Sequence, residues 1–140
     1  MKKLYLDIDG VLLTAKNTAP AENVVQLINY VTSNFDCYWL TTHCKGNKQT
    51  ALNYLGKYFD NTTLHKMEKI KPTNWTTLKT EGIDFASDFF WIEDFPFQSE
   101  VKILEKKKKK DRLLLVDLNR PDELLRIIAF LEHSISSTAE

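Results

Sequence analysis

The chain is expected to fold as a three-layer α/β/α sandwich around a central parallel sheet, and three observations carry that expectation. Several short runs are apolar at every position rather than at alternate ones, as strands buried on both faces are. Between them lie longer stretches whose apolar residues recur at helical spacing. The two patterns alternate along the chain, as they do where crossover helices join parallel strands. At 140 residues a single core suffices, so residues 1–133 read as one domain and residues 134–140 as a polar C-terminal tail.

The elements follow in order. Leu4 to Ile8 is the first strand, and Asp9 to Pro20, broken by Gly10, Asn17 and Pro20, is a loop or flap. Pro20 suits the first turn of a helix whose buried face is Val24, Leu27, Ile28 and Val31, ending at Asn34. Cys37 to Leu40 is the second strand. A polar turn from Thr42 to Gly46 leads into a helix over Lys48 to Phe59, with Ala51, Leu52, Leu55 and Phe59 on one face. A short strand is expected near Leu64 to Met67. After the Pro72 to Asn74 loop, a helix should carry Trp75, Leu78 and Ile83. Phe89 to Ile92 is the third strand, Glu100 to Lys110 a helix, and Leu113 to Val116 the fourth strand. Pro121 to His133 closes the chain as a helix with Leu124, Leu125, Ile128 and Leu131 inward. Trp39, Trp75 and Trp91 fall in or beside apolar elements and read as core.

Composition narrows the function classes. With 43% hydrophobic and 27% charged residues the chain is not of the disordered type. A formal net charge of zero gives no electrostatic case for nucleic acid. No apolar stretch reaches membrane-spanning length, and the run after Lys2 and Lys3 is too short and too acidic for a signal peptide. A cytoplasmic location, with no membrane partner, is therefore expected. Cys37 and Cys44 form no CxxC pair, and no disulfide is expected.

In open parallel sheets a ligand binds beyond the carboxyl ends of the strands, where strand order reverses. The polar residues at those ends are Asp7 with Asp9, Thr41 with Thr42, and Glu93 with Asp94. Carboxylates packed together repel unless a cation joins them, and hard oxygen ligands in an open site suit Mg²⁺, which also accepts phosphate oxygens. A carboxylate can itself attack phosphorus, splitting hydrolysis into two steps.

Asp7-Ile8-Asp9-Gly10-Val11-Leu12 resembles the first motif of the haloacid dehalogenase (HAD) superfamily, whose phosphatases carry an Asp-x-Asp-Gly-Val pattern after strand one. Tyr38-Trp39-Leu40-Thr41 resembles the second motif, with Thr42 as the neighbouring alternative and helix capping as the simpler role for Thr41. Trp91-Ile92-Glu93-Asp94 resembles the acidic fourth motif, with Glu93 where many relatives have Asp. For the third-motif lysine the sequence offers Lys69, Lys71 and Lys79. Lys71-Pro72 resembles the form of small-molecule phosphatases, and Lys79 the shorter spacing of capless protein phosphatases, which is preferred.

The resemblance implies an Mg²⁺-dependent phosphatase. Asp7 would be the nucleophile and Asp9 the acid/base, with Thr41 and Lys79 completing the catalytic set. Asp7, Asp9 through its carbonyl, and Asp94 would hold the metal, with Glu93 beside them. Gly10, Thr42, His43 and Lys71 are the candidate substrate contacts. The intervals between motifs leave no room for a cap domain, which implies a capless (C0-type) member with an open site for a large phosphorylated substrate. A nucleic-acid end belongs to that class without support from net charge. Two other classes fit the same residues: a phosphate- or partner-binding module with little turnover, motivated by Glu93, and a receiver-type signalling domain. The receiver fits poorly, because its phosphorylated Asp follows a later strand.

Overall fold

The computed structural model describes the backbone of residues 1–138 and the side chains of residues 1–136. Four strands form one all-parallel sheet: β1 (Lys3–Leu6), β2 (Asp36–Trp39), β3 (Phe89–Glu93) and β4 (Leu113–Leu115), in the order β2-β1-β3-β4. The α-helices among the described residues are α1 (Val24–Asn34), α2 (Lys48–Leu55), α3 (Asn61–Met67), α4 (Gln98–Lys106) and α5 (Glu123–Thr138). The α/β class and the parallel sheet expected from the sequence are thus present.

The chain leaves β1 toward β2 and later leaves β3 toward β4, on opposite sides of the β1–β3 pair. Right-handed crossovers running in opposite directions place their helices on opposite faces, and the packing follows that rule. Val24, Leu27, Ile28 and Val31 of α1 share one buried cluster with Leu4, Leu6, Trp39 and Ile92. Leu104 of α4 shares the other with Tyr5, Phe89 and Trp91. Alternation along each strand therefore feeds two cores, which explains why β3 is buried at every residue. The three tryptophans are all in these cores.

Two helices stop short of expectation, α2 at Leu55 rather than Phe59 and α4 at Lys106 rather than Lys110, and four further elements differ more. Residues 61–67 form a helix rather than a strand: the Asp60 side chain accepts the Thr63 N–H at 2.8 Å, and Thr63 and Met67, one turn apart, are the buried pair. The stretch after Trp75 makes only a 3₁₀ turn, Lys79–Gly82. There Glu81 accepts the backbone N–H groups of Thr76 and Leu78, so a side chain does what helical carbonyls would have done. Pro20 is not in a helix; it bridges Leu13 within the flap, and α1 starts four residues later. The last helix continues past His133 through the Ser134–Thr138 part of the expected tail, while residues 139 and 140 lie outside the described residues. Its inward face uses Ile127 where Leu125 was expected, and Leu125 is exposed.

Candidate active site

The β1–β3 pair is the point where strand order reverses, and Leu6 is level with Ile92, so the next residues of both strands emerge side by side at the carboxyl edge. Asp7 still belongs to the ladder, its N–H donating to Ile92 O at 3.2 Å. Its side chain is almost fully buried. One carboxylate oxygen accepts the Ile8 N–H at 2.8 Å, and the other lies 3.2 Å from Lys79 Nζ. The same ammonium donates to Glu93 Oε1 at 2.6 Å. Glu93 is 2% exposed, and its second oxygen accepts the N–H groups of Asp94 and Phe95.

Lys79 is held from behind. Its own N–H donates to Glu100 Oε2 at 2.6 Å, while the other oxygen of Glu100 accepts the Phe97 N–H at the start of α4. Glu100, itself buried, thereby ties the lysine's turn to α4. No reading of the sequence singled it out, because an acid in a helix's first turn is ordinarily a capping residue.

Asp7, Glu93 and Asp94 place one carboxylate oxygen each within 4.8 Å of one another. Burial, then the charge of Asp7, pushes the Glu93 carboxyl up to about 7. Burial, then Glu93, pushes Asp94 up to about 6. Burial works against the charge of Lys79, yet Asp7 and Glu93 outweigh it and its pKa is raised. One lysine thus partly offsets three crowded acids, and the donor set, hard oxygens only, is of the kind that could hold a divalent cation such as Mg²⁺.

Gly10 explains how Asp94 gets there. Its φ is +81°, and a Cβ at this position would lie 2.0 Å from Asp94 Oδ2. The carboxylate occupies the space that any other residue would fill.

Asp9 points to the other side of the cluster. Tyr54 O–H donates to its Oδ1 at 3.0 Å, and His43 Nε2 lies 2.8 Å from its Oδ2. The His43 and Tyr54 rings stack with centroids 3.9 Å apart and an 11° angle between planes. Burial, then Asp9, pushes the Tyr54 hydroxyl up to about 12. Thr41 is buried at the end of β2; its hydroxyl accepts the His43 N–H at 3.3 Å, and its carbonyl accepts that of Cys44.

The remaining candidates separate clearly. Thr42 is exposed. Lys71 bridges to Tyr38 at the outer edge of β2 and pairs with Asp36 at 2.9 Å, at the amino end of that strand, so it faces away from the acids. Lys69 is exposed in the turn before it. Of the three candidate lysines, the structure brings Lys79 alone to Asp7. Tyr54 was missed because it flanks the apolar stripe of its helix and packs partly against the core, where a tyrosine reads as one more packing residue.

A cleft of about 810 Å³ borders Gly10 and Asp94 and runs between the flap at Thr14–Asn17 and the loop after β4, including Asn119 and Arg120. Phe95, 81% exposed, forms part of its wall. No protein-family model, curated protein or solved structure matches the chain. Among the described residues, no helix is long and apolar enough to cross a membrane.

Proposed function

We propose that the protein is an Mg²⁺-dependent phosphohydrolase of the capless HAD type, working through a phosphorylated Asp7. The observation that carries this reading is the placement of Lys79 between Asp7 and Glu93, with Asp94 alongside, at the switch point of a parallel sheet. A cationic group against a buried carboxylate offsets its charge and orients it, as a nucleophile at phosphorus requires.

In the first step an Asp7 oxygen bonds to phosphorus. The ester P–O bond breaks with its electron pair on the leaving oxygen, which takes a proton from Asp9. In the second, a water oxygen attacks phosphorus, gives its proton to Asp9, and the Asp7–phosphorus bond breaks to release phosphate. Lys79 balances charge on Asp7 and on the transferred group, and Thr41 would donate to a phosphoryl oxygen. Asp7, Asp94 and the carbonyl of Asp9 would hold Mg²⁺, which supplies positive charge to the phosphoryl oxygens when bound. The cleft beside Asp94 would admit the carrier of the phosphate, and the short intervals between motifs, which leave no room for a cap, favour a large one.

The decisive experiment measures hydrolysis of 4-nitrophenyl phosphate with Mg²⁺ and with chelator. Expected are metal-dependent turnover, its loss in Asp7→Asn, and phosphate covalently retained on the wild type after acid quench. Absence of turnover across a panel of phosphate esters would favour a phosphate-binding module instead.

A further inference from the structure

The Asp9 side chain is about half exposed, at 47%. Water alone could solvate such a carboxylate, and a surface ion pair there would add little to stability. Yet two aromatic side chains from separate elements converge on it and occupy both its oxygens. Each partner is itself immobilised. His43 lies in the tight turn closed by the Thr41–Cys44 bridge, with its N–H on Thr41 Oγ1. Tyr54 is carried by α2, which is anchored through buried Ala51 and Leu55 and capped by Asn47. The parallel ring stack then limits the rotation of each ring against the other.

We propose that His43 and Tyr54 are positioning residues for Asp9: they fix its carboxylate and stabilise the charge that develops on it as its proton passes to the leaving oxygen. The inference rests on the phosphohydrolase reading and goes beyond it, in giving His43 a role toward Asp9 rather than toward substrate. When Asp9 gives up its proton, the Tyr54 O–H···O bond becomes charge-assisted, and so does the bond from His43 when Nε2 carries the proton. Such bonds shorten and strengthen as the acceptor ionises. They are therefore worth more in the transition state than in the ground state, which is the condition for accelerating the step.

A scaffolding role and this one separate by leaving group. In kcat/KM, 4-nitrophenyl phosphate releases a weakly basic oxygen that needs little help from an acid, whereas benzyl phosphate releases a strongly basic alkoxide that does. Wild type, Tyr54→Phe, His43→Ala and, as reference, Asp9→Asn are compared on both esters with Mg²⁺, after thermal melting shows each to be folded. Tyr54→Phe and His43→Ala are expected to lose roughly tenfold on benzyl phosphate, about the value of one hydrogen bond to a charged group, and far less on 4-nitrophenyl phosphate. Equal losses on the two esters, or no loss on either, overturn the positioning role and leave the phosphohydrolase reading standing. A wild type that hydrolyses neither ester sinks that reading and this inference together.

Discussion

The two ends of the same four-stranded sheet handle charge in opposite ways. At the amino edge, Lys2, Lys3, Lys71 and Arg112 meet Asp36, Asp84 and Asp88 in ion pairs of 2.7 to 3.4 Å. Hydrogen bonds from Lys3 and Ser87 bring Asp84 down to about 2. Burial opposes the charge of Asp36, yet Lys71 and Tyr38 still hold its pKa below the ordinary value. At the carboxyl edge three acids share one lysine, and two of those acids are pushed up, to about 7 and about 6. Cations and anions are matched at the amino edge and mismatched at the switch point. Crowded carboxylates with raised pKa values could be offset by a bound cation, and such perturbation is what makes this edge the candidate functional site.

The sharpest way to break this comparison is to remove one lysine from each edge. Lys79→Ala leaves Asp7 and Glu93 buried without their shared cation, an arrangement that costs about 3–5 kcal/mol when one partner of a buried pair is deleted. Hydrolysis should fall by a factor on the order of 10³ as well, since nucleophile and transferred group both lose their charge balance. Lys71→Ala removes an exposed partner of Asp36 and should leave activity unchanged and the melting point nearly so. Thermal melts and kcat/KM on the two variants check both halves; similar behaviour of the pair would erase the distinction between the edges.

Gly10→Ala should come next in size. The new methyl group must either push Asp94 aside or move the flap, because the positive φ and the 2.0 Å approach leave no third arrangement. We expect loss of most Mg²⁺-dependent hydrolysis in a chain that still folds, with Mg²⁺ raising its melting point less than it does for the wild type.

Metal binding itself should sharpen the contrast. A cation that binds the folded chain alone stabilises it in proportion to RT ln(1 + [L]/Kd). Because Glu93 and Asp94 hold protons up to about 7 and about 6, Mg²⁺ must displace those protons at low pH. Its effect on the melting point should therefore be small at pH 5 and larger at pH 8. An equal shift at both values would place the metal elsewhere.

These edges were not equally legible from sequence. Asp7, Glu93 and Asp94 could be found because uninterrupted apolar runs end on them, and strand ends in a parallel sheet define the ligand edge. The Lys79 position needed tertiary structure: it comes off a 3₁₀ turn held by Glu81 and Glu100, and Lys69 and Lys71 lie close in sequence with the same chemistry. The helix at residues 61–67 was hidden because Leu64 to Met67 is too short to show a period, and only the Asp60 cap decides it. The Lys106–Lys110 run lies at the amino edge, where Lys107 stacks over Phe85 and neighbouring Arg112 pairs with Asp88. It therefore cannot be read as part of the ligand edge.

The smallest expected effect is also the one in which the edges oppose each other by sign. For Glu93, burial raises the folded value from 4.5 to about 7. The folded chain holds that proton more tightly, so this contribution to stability is full below pH 4.5 and is lost as pH rises through about 7. Asp84 runs the other way: its value drops from 3.8 to about 2, so its contribution is present above 3.8 and is lost as pH falls through about 2. In metal-free buffer, stability should thus decline between about pH 4.5 and 7, by on the order of 1–3 kcal/mol from Glu93. Glu93→Gln should flatten that decline above about pH 6, the part below being shared with Asp94, which is pushed up from 3.8 to about 6. The slope rather than the level is the measure, because Gln also takes from Lys79 its charged partner. Asp84→Asn should leave this slope intact and soften only the acid limb below pH 4, an effect that added salt would shrink further since the pair is exposed. Denaturant melts of the three chains from pH 2.5 to 8 would separate the limbs. A decline above about pH 6 that survives undiminished in Glu93→Gln, where Asp94 with its value of about 6 no longer contributes, would show that Glu93 is already balanced, and the contrast between the two edges would fail.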